Sequence, residues 1–280
     1  MAVLFRIDTM KGLEGRILGN RTKTIILDFN GTLADDFQLL VDISKKVFKT
    51  RGYRIPSDEE IEALRGEPAK EVAKALLGHK KWFYRTLLAV GEGIPLYFQE
   101  RNNIKPFDGI VNVVNALSKE YKTFILSSNN KETVKYVLDN WNLNYNGVYH
   151  SLRWFGLERL FGKGKVLQKI LKEKGWEKTP EKLLYIGDEA RDADACKKAK
   201  VNFLGVTWGY NNETALTNAG VNPEFLVYDP HDIPNKIKLV EARMLMGEKL
   251  PTLNPLIKQG ELSLSYTNSR HSVDSDKKSV

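Results

Sequence analysis

Thr24-Ile25-Ile26-Leu27-Asp28-Phe29-Asn30-Gly31-Thr32-Leu33 decides the reading of this chain. A short, β-branched apolar run carries a carboxylate to its end and then breaks at glycine. That pattern predicts a buried strand over about 23–29 that feeds a loop. In an open α/β sheet, chemistry gathers beyond the carboxyl ends of the strands, so Asp28 stands where a nucleophile or metal ligand would stand. Taken alone, an aspartate before a Gly-Thr turn serves equally well as a turn cap, because such side chains readily bond nearby backbone.

Downstream, Phe37, Leu40, Val41, Ser44, Val47 and Phe48 form an apolar stripe at helical spacing, which predicts a helix to about Gly52. Ser57 followed by Glu60 is a capping-box signature for a short helix ending near Gly66. Pro68 suits the first turn of a third helix that ends near Gly78. Trp82 to Asn102 reads as largely helical, with a break expected at Gly91-Glu92-Gly93-Ile94-Pro95. Between 35 and 105 there is no strand signal. From Pro106-Phe107-Asp108-Gly109 onward, strand and helix patterns alternate: strands at 122–127, 147–150, 182–187, 202–207 and 225–228, and helices at 131–140, 164–174, 191–200, 213–219 and 234–247. Such alternation predicts a parallel sheet with helices on both faces. The domain reading is an extension over 1–21, a core made of 22–34 and 106–247, a helical insert over 35–105, and a polar tail over 248–280 expected to be disordered.

Composition sets outer limits. A chain of 280 residues, 42% hydrophobic, can bury one substantial core with a smaller appended unit. Its one cysteine, Cys196, excludes an internal disulfide framework and fits a reducing compartment. No apolar run approaches the roughly 20 residues that a membrane span needs, and Met1-Ala2-Val3-Leu4-Phe5 is interrupted too soon to be a signal-peptide core. The expected location is therefore the cytoplasm. A net charge of +8 favours anionic ligands, but the lysines are interleaved with acids at helical spacing and no nucleic-acid motif accompanies them.

Asp28-Phe29-Asn30-Gly31-Thr32-Leu33 resembles the first motif of the haloacid dehalogenase superfamily, and three further stretches match in order. Phe124-Ile125-Leu126-Ser127-Ser128-Asn129 is an apolar strand ending in hydroxyls. Gly162-Lys163-Gly164-Lys165-Val166-Leu167 supplies a lysine. Leu183-Leu184-Tyr185-Ile186-Gly187-Asp188-Glu189-Ala190-Arg191-Asp192 is a strand ending in Gly-Asp with a second Asp four residues on. The resemblance covers about 22–240 and implies an α/β, Rossmann-like, doubly wound parallel sheet with an inserted all-helical cap over 35–105. It also implies that Asp28 is nucleophile and metal ligand, that the main-chain carbonyl of Asn30 and Asp188 complete the protein ligands to Mg²⁺, and that Asp192 binds the metal through water or holds Lys163. The two carboxylates Asp28 and Asp188 repel unless a cation lies between them, and hard oxygen ligands suit Mg²⁺. Ser128 and Lys163 would face the transferring phosphoryl group, with Ser127 and Lys165 as their alternatives. Gly31, Thr32 and Asn129 would line the substrate site, and Lys70 and Arg65 of the cap are candidate anion contacts.

Asn30 departs from the family pattern. Phosphatases of the superfamily usually have a second Asp there, which protonates the leaving group and then activates water. An Asn cannot transfer a proton, and general acid-base assistance is typically worth about 10²- to 10⁴-fold. The expectation is a Mg²⁺-dependent hydrolase of small phosphorylated metabolites, resembling phosphoglycolate phosphatases, slowed at this position and accelerated by Asn30→Asp. The alternatives are a catalytically weak protein acting by binding a phosphorylated ligand or partner, and a phosphonatase- or dehalogenase-like hydrolase. The phosphate-transport ATPases of the superfamily are excluded by the missing spans.

Overall fold

The computed structural model describes residues 22–67, 69–150 and 163–253. The expected extension over 1–21 and the tail from 254 lie outside them. Strand β1, Thr24–Leu27, is followed by a tight loop and by β2, Ala34–Asp35. Helices α1 (Phe37–Thr50), α2 (Asp58–Ala63), α3 (Ala69–Leu77) and α4 (Trp82–Gln99) then form the insert. The chain re-enters the core through β3, Lys105–Pro106, which pairs antiparallel with β2, so the two crossings are tied together at one point. Then come α5 (Ile110–Leu117), β4 (Lys122–Ser127), α6 (Lys131–Asn140), β5 (Gly147–His150), α7 (Lys163–Glu173), β6 (Leu183–Gly187), α8 (Ala190–Ala199), β7 (Asn202–Val206), α9 (Glu213–Asn218), β8 (Leu226–Val227) and α10 (Ile233–Leu245).

The main sheet has six strands in the order β5-β4-β1-β6-β7-β8, and every pairing is parallel. A parallel sheet is covered on both faces, which is why its strands read as continuous apolar runs. Successive side chains of β1 alternate between the two faces. Ile25 and Leu27 pack with α5, α6 and α10, while Ile26 packs with α7 and α8. The strand order reverses at β1, whose carboxyl end therefore opens between those of β4 and β6. Asp28 extends the ladder by one more bond, its amide donating to the Ile186 carbonyl at 2.9 Å.

Two expectations are corrected. No break occurs at Gly91–Pro95, because α4 runs unbroken from Trp82 to Gln99 with Pro95 inside it. Tertiary anchoring overrides local propensity there: α4 packs along α1, Glu92 pairs with Arg51, and Tyr97 is buried. The chain also stays on the core beyond 248. Thr252 Oγ1 accepts from the Phe203 amide at 2.9 Å, the Asn222 amide donates to the Thr252 carbonyl at 2.9 Å, and Leu253 bridges to Val221. Among the described residues, no helix is long and apolar enough to cross a membrane.

Candidate active site

Parallel strands ending at one edge bring side chains that are far apart in sequence into one cluster. Asp28 follows β1, Asp188 follows β6, and Asp192 lies on the first turn of α8. All three are buried, and each offers a carboxylate oxygen within 4.8 Å of the others. Lys163, the first residue of α7, is buried against them. Its ammonium donates to Asp28 Oδ2 and, at 3.1 Å, to Asp192 Oδ2, with Glu189 Oε2 at 3.6 Å. Lys165 is exposed, so the structure brings Lys163 to Asp28 and leaves Lys165 outside the cluster.

The loop after β1 wraps around Asp188. Thr32 Oγ1 donates to Asp188 Oδ1 at 2.8 Å, and the Tyr210 amide donates to Asp188 Oδ2 at 2.7 Å. Gly31 adopts φ +72, and a side chain there would overlap the Asp188 carboxylate. Asp28 Oδ1 accepts from the Phe29 amide at 2.7 Å.

The electrostatics are dominated by burial. Asp188 is pushed up to about 8 by burial and by the neighbouring Glu189 and Asp28 carboxylates. Asp192 is raised well above the ordinary carboxylate range by burial, which Lys163 only partly offsets. Burial alone would lower the Lys163 ammonium, but Asp192 and Asp28 hold it above its ordinary value. Burial alone would raise Glu189, and its pairing with Arg191 and Lys163 holds it low. Burial thus keeps protons on Asp188 and Asp192 in the metal-free site; with all four carboxyl groups ionised against Lys163 and Arg191, the charge left over is that which a single divalent cation would balance. The donor set fits such an ion: hard oxygens, buried, with Asp192 Oδ1 3.0 Å from Lys163 Nζ yet outside hydrogen-bond geometry.

The hydroxyl at the end of β4 that reaches residue 30 is Ser127 rather than Ser128. Ser127 Oγ lies 3.4 Å from Asn30 Oδ1 and accepts from the Asn129 amide at 2.9 Å, while Ser128 is half-buried on the following loop. The reason is register, since Ser127 is the last residue of the strand. The Asn129 side-chain oxygen accepts from the Asn130 amide at 2.7 Å. Of the two basic candidates in the insert, Arg65 faces the core, its Nη2 donating to the Gly209 carbonyl at 2.8 Å and its guanidinium lying 4.8 Å from the Phe37 ring centroid. Lys70 is exposed on the first turn of α3, beside Glu71, and is not brought to the carboxylates.

Sequence reasoning missed a second polar cluster. Asp36 is buried, and its Oδ2 accepts from Asn30 Nδ2 and, at 2.6 Å, from the Tyr97 hydroxyl. Its Oδ1 accepts from the Tyr210 hydroxyl at 2.7 Å. Burial raises Asp36, with these three donors working against the rise. Two signals were available: the Asp35-Asp36 doublet directly behind the first motif, and Trp208-Gly209-Tyr210 just past a strand end.

A family model described as haloacid dehalogenase-like hydrolase matches residues 25–206. A phosphoglycolate phosphatase from Synechococcus elongatus is 26% identical over 217 residues, covering 75% of this chain and 95% of that protein. Two solved structures share the fold. One is a predicted phosphatase from Clostridium acetobutylicum, with TM-score 0.65, 18% identity, and coverage of 78% of this chain and 99% of that one. The other is a haloacid dehalogenase-like hydrolase from Streptococcus pneumoniae, with TM-score 0.63, 20% identity, and coverage of 78% and 98%. The four motifs, the strand order that gathers them at one edge and the family match over most of the sheet agree, and the chain belongs to the haloacid dehalogenase-like hydrolase family.

Proposed function

We propose that this protein hydrolyses small phosphate monoesters, with phosphoglycolate the first substrate to test. The observation that carries this reading is Asp28, a buried carboxylate at the carboxyl end of the central strand, paired with the Lys163 ammonium. A carboxylate attacking a phosphoryl group meets several negative oxygens, so donors and cations must surround the transferring group. Lys163 and the Ser127 hydroxyl supply that requirement here. Asp28 attacks phosphorus as the ester P–O bond breaks, the departing alkoxide taking its proton from water because Asn30 has none to give, and water then cleaves the aspartyl phosphate to free the Asp28 carboxylate and inorganic phosphate. Lys163 holds the Asp28 carboxylate in place, and Thr32 and the Tyr210 amide fix Asp188.

Asp28, Asp188 and the main-chain carbonyl of Asn30 would hold a Mg²⁺ ion, backed by Asp192. When bound, the ion supplies charge neutralisation for the phosphoryl oxygens. The insert over 35–105 acts as a lid, hinged where β2 meets β3 and seated through Arg65 on Gly209. The buried Cys196 is compatible with a cytoplasmic setting.

One observation favours a second reading, a protein that binds a phosphorylated ligand without turning it over: Asn30 has no proton to give. Phosphate release from phosphoglycolate and a panel of small phosphate monoesters, with and without Mg²⁺, tests the first reading. Turnover that is lost in Asp28→Asn, with a phosphate mass adduct on the wild type, supports it. Binding of the esters without release of phosphate overturns it in favour of the second.

A further inference from the structure

Asn30 is held by partners that leave it one orientation. Its Nδ2 has two hydrogens, and two acceptors face them, Asp36 Oδ2 and, at 2.9 Å, the Tyr97 hydroxyl oxygen. The Tyr97 hydroxyl spends its own hydrogen on the same Asp36 oxygen. Turning the carboxamide over would set its oxygen against a carboxylate, an arrangement of acceptors with no hydrogen between them. Tyr210 holds the other Asp36 oxygen from the loop after β7. The Asn30 oxygen is therefore turned towards Ser127, whose 3.4 Å contact leaves it with accepting capacity.

We propose that Asp36 is the positioning residue for Asn30: it fixes the carboxamide so that its oxygen is presented to the strand ends as a hydrogen-bond acceptor, and residue 30 works only in partnership with residue 36. The catalytic part of this proposal rests on the phosphatase reading above. An oriented acceptor aligns the O–H of a water molecule without taking its proton, which gives Asn30 a role that needs no acid. Tyr97 belongs to the insert and Tyr210 to the core, so the orientation is complete only when the insert is seated. The proposal also reverses the sequence expectation for Asn30→Asp. A carboxylate at 30 would face the Asp36 carboxylate across the span now bridged by the Asn30 N–H. The carboxylate usual at position 30 is tolerated only if residue 36 becomes the donor.

Five proteins test it: wild type, Asn30→Asp, Asp36→Asn, the exchange Asn30→Asp with Asp36→Asn, and Tyr97→Phe. Melting temperature is read without substrate or metal, and kcat and KM are read with p-nitrophenyl phosphate and Mg²⁺. The single Asn30→Asp should melt several degrees below wild type with no gain in kcat. Asp36→Asn should lose about tenfold in kcat at little changed KM, because a carboxamide at 36 accepts either orientation of Asn30. The exchange should melt well above the sum of the two single losses, and its kcat should exceed that of Asp36→Asn at least tenfold. Tyr97→Phe removes a single hydroxyl and should lower kcat several-fold, so the kinetic arm survives a failure of Asn30→Asp to fold. Additive melting shifts in the exchange, an unchanged kcat in Asp36→Asn or Tyr97→Phe, or a faster Asn30→Asp single variant would each overturn the proposal. If none of the proteins, the exchange included, releases phosphate while the melting shifts are strongly non-additive, the phosphatase reading fails and the pairing of 30 with 36 stands.

Discussion

Arg65 of the insert donates through Nη2 to the main-chain carbonyl of Gly209 at 2.8 Å, across 144 residues of sequence. Gly209 lies beside Tyr210, whose amide holds Asp188. The insert is thus seated on the same loop that positions a carboxylate of the cluster. A hydrogen bond from a charged donor is worth about 1.5–3 kcal/mol net. Arg65→Ala should therefore raise KM for a small phosphate ester about tenfold through loss of the seated state. Lys70→Ala, by contrast, alters an exposed residue and should leave KM unchanged. Steady-state kinetics on the two variants side by side check this, and equal effects would return both residues to a general electrostatic role.

Without metal, Asp188 should make stability fall as pH rises. Its folded value of about 8 lies above that of an ordinary carboxylate, so between those two values the native state keeps a proton that the unfolded chain has released. By linkage, that contribution to stability is present at low pH and is lost as pH climbs through the folded value. Melting curves of metal-free protein from pH 5 to 8.5 should show the decline, and Asp188→Asn should make it shallower, the remainder coming from the raised Asp192 and Asp36. Mg²⁺ at about 100 times its dissociation constant should restore about 2.7 kcal/mol near pH 8 by mass action. The same addition to Asp188→Asn should do nothing. An equal response in both proteins would count against a metal held at Asp188.

The sheet was legible because its strands are short apolar runs bounded by turn residues, and the meeting of Asp28, Asp188 and Asp192 follows once those strands are parallel and share an edge. The resemblance put Lys163 ahead of Lys165, and helical spacing agrees with it: Lys163 shares the buried face of α7 with Leu167, Ile170 and Leu171, while Lys165 is exposed. Ser127 and Ser128 are adjacent hydroxyls that the apolar run cannot separate, and which of them reaches residue 30 follows from where β4 ends, at Ser127. Asp36, Tyr97 and Tyr210 were not legible as a group. They come from three separate segments, carry no motif, and meet only because the insert folds back over the β1 loop. Pro95 misled the reading of α4, because a helix-breaking signal says nothing about Tyr97, the residue that anchors the helix two positions later.

Thr252 lies inside the segment that composition assigned to the tail, yet it is buried. Its hydroxyl accepts from the Phe203 amide and lies 3.2 Å from Asn202 Oδ1. Thr252→Val keeps the shape and leaves a buried strand amide without its acceptor, which costs about 1–3 kcal/mol. The melting temperature should fall, while kcat at saturating substrate should stay at the wild-type value because β7 is disturbed only at its start, at the opposite end from the carboxylates. A variant as stable as wild type would show that the segment around 252 is not part of the folded core.

Gly209 tests how tightly the loop after β7 closes on the site. A Cβ built there would overlap the Gly31 carbonyl oxygen and Asp188 Cβ, both part of the packed cluster, so neither can yield without moving a carboxylate. Its backbone is not in the left-handed region, and the objection to a side chain is purely one of space. Gly91 is the control, because the same methyl group there meets nothing within 4 Å and sits inside α4. Gly91→Ala should raise stability by about 0.5–1 kcal/mol, the usual difference between the two residues in a helix interior. Gly209→Ala should instead displace Asp188, lowering kcat on the order of 10²-fold, as a misplacement of about 1 Å does, and abolishing the Mg²⁺-dependent gain in melting temperature. If Gly209→Ala keeps both its turnover and its response to Mg²⁺, the loop is loose, and Asp188 is held by Thr32 rather than by the close approach of Gly209.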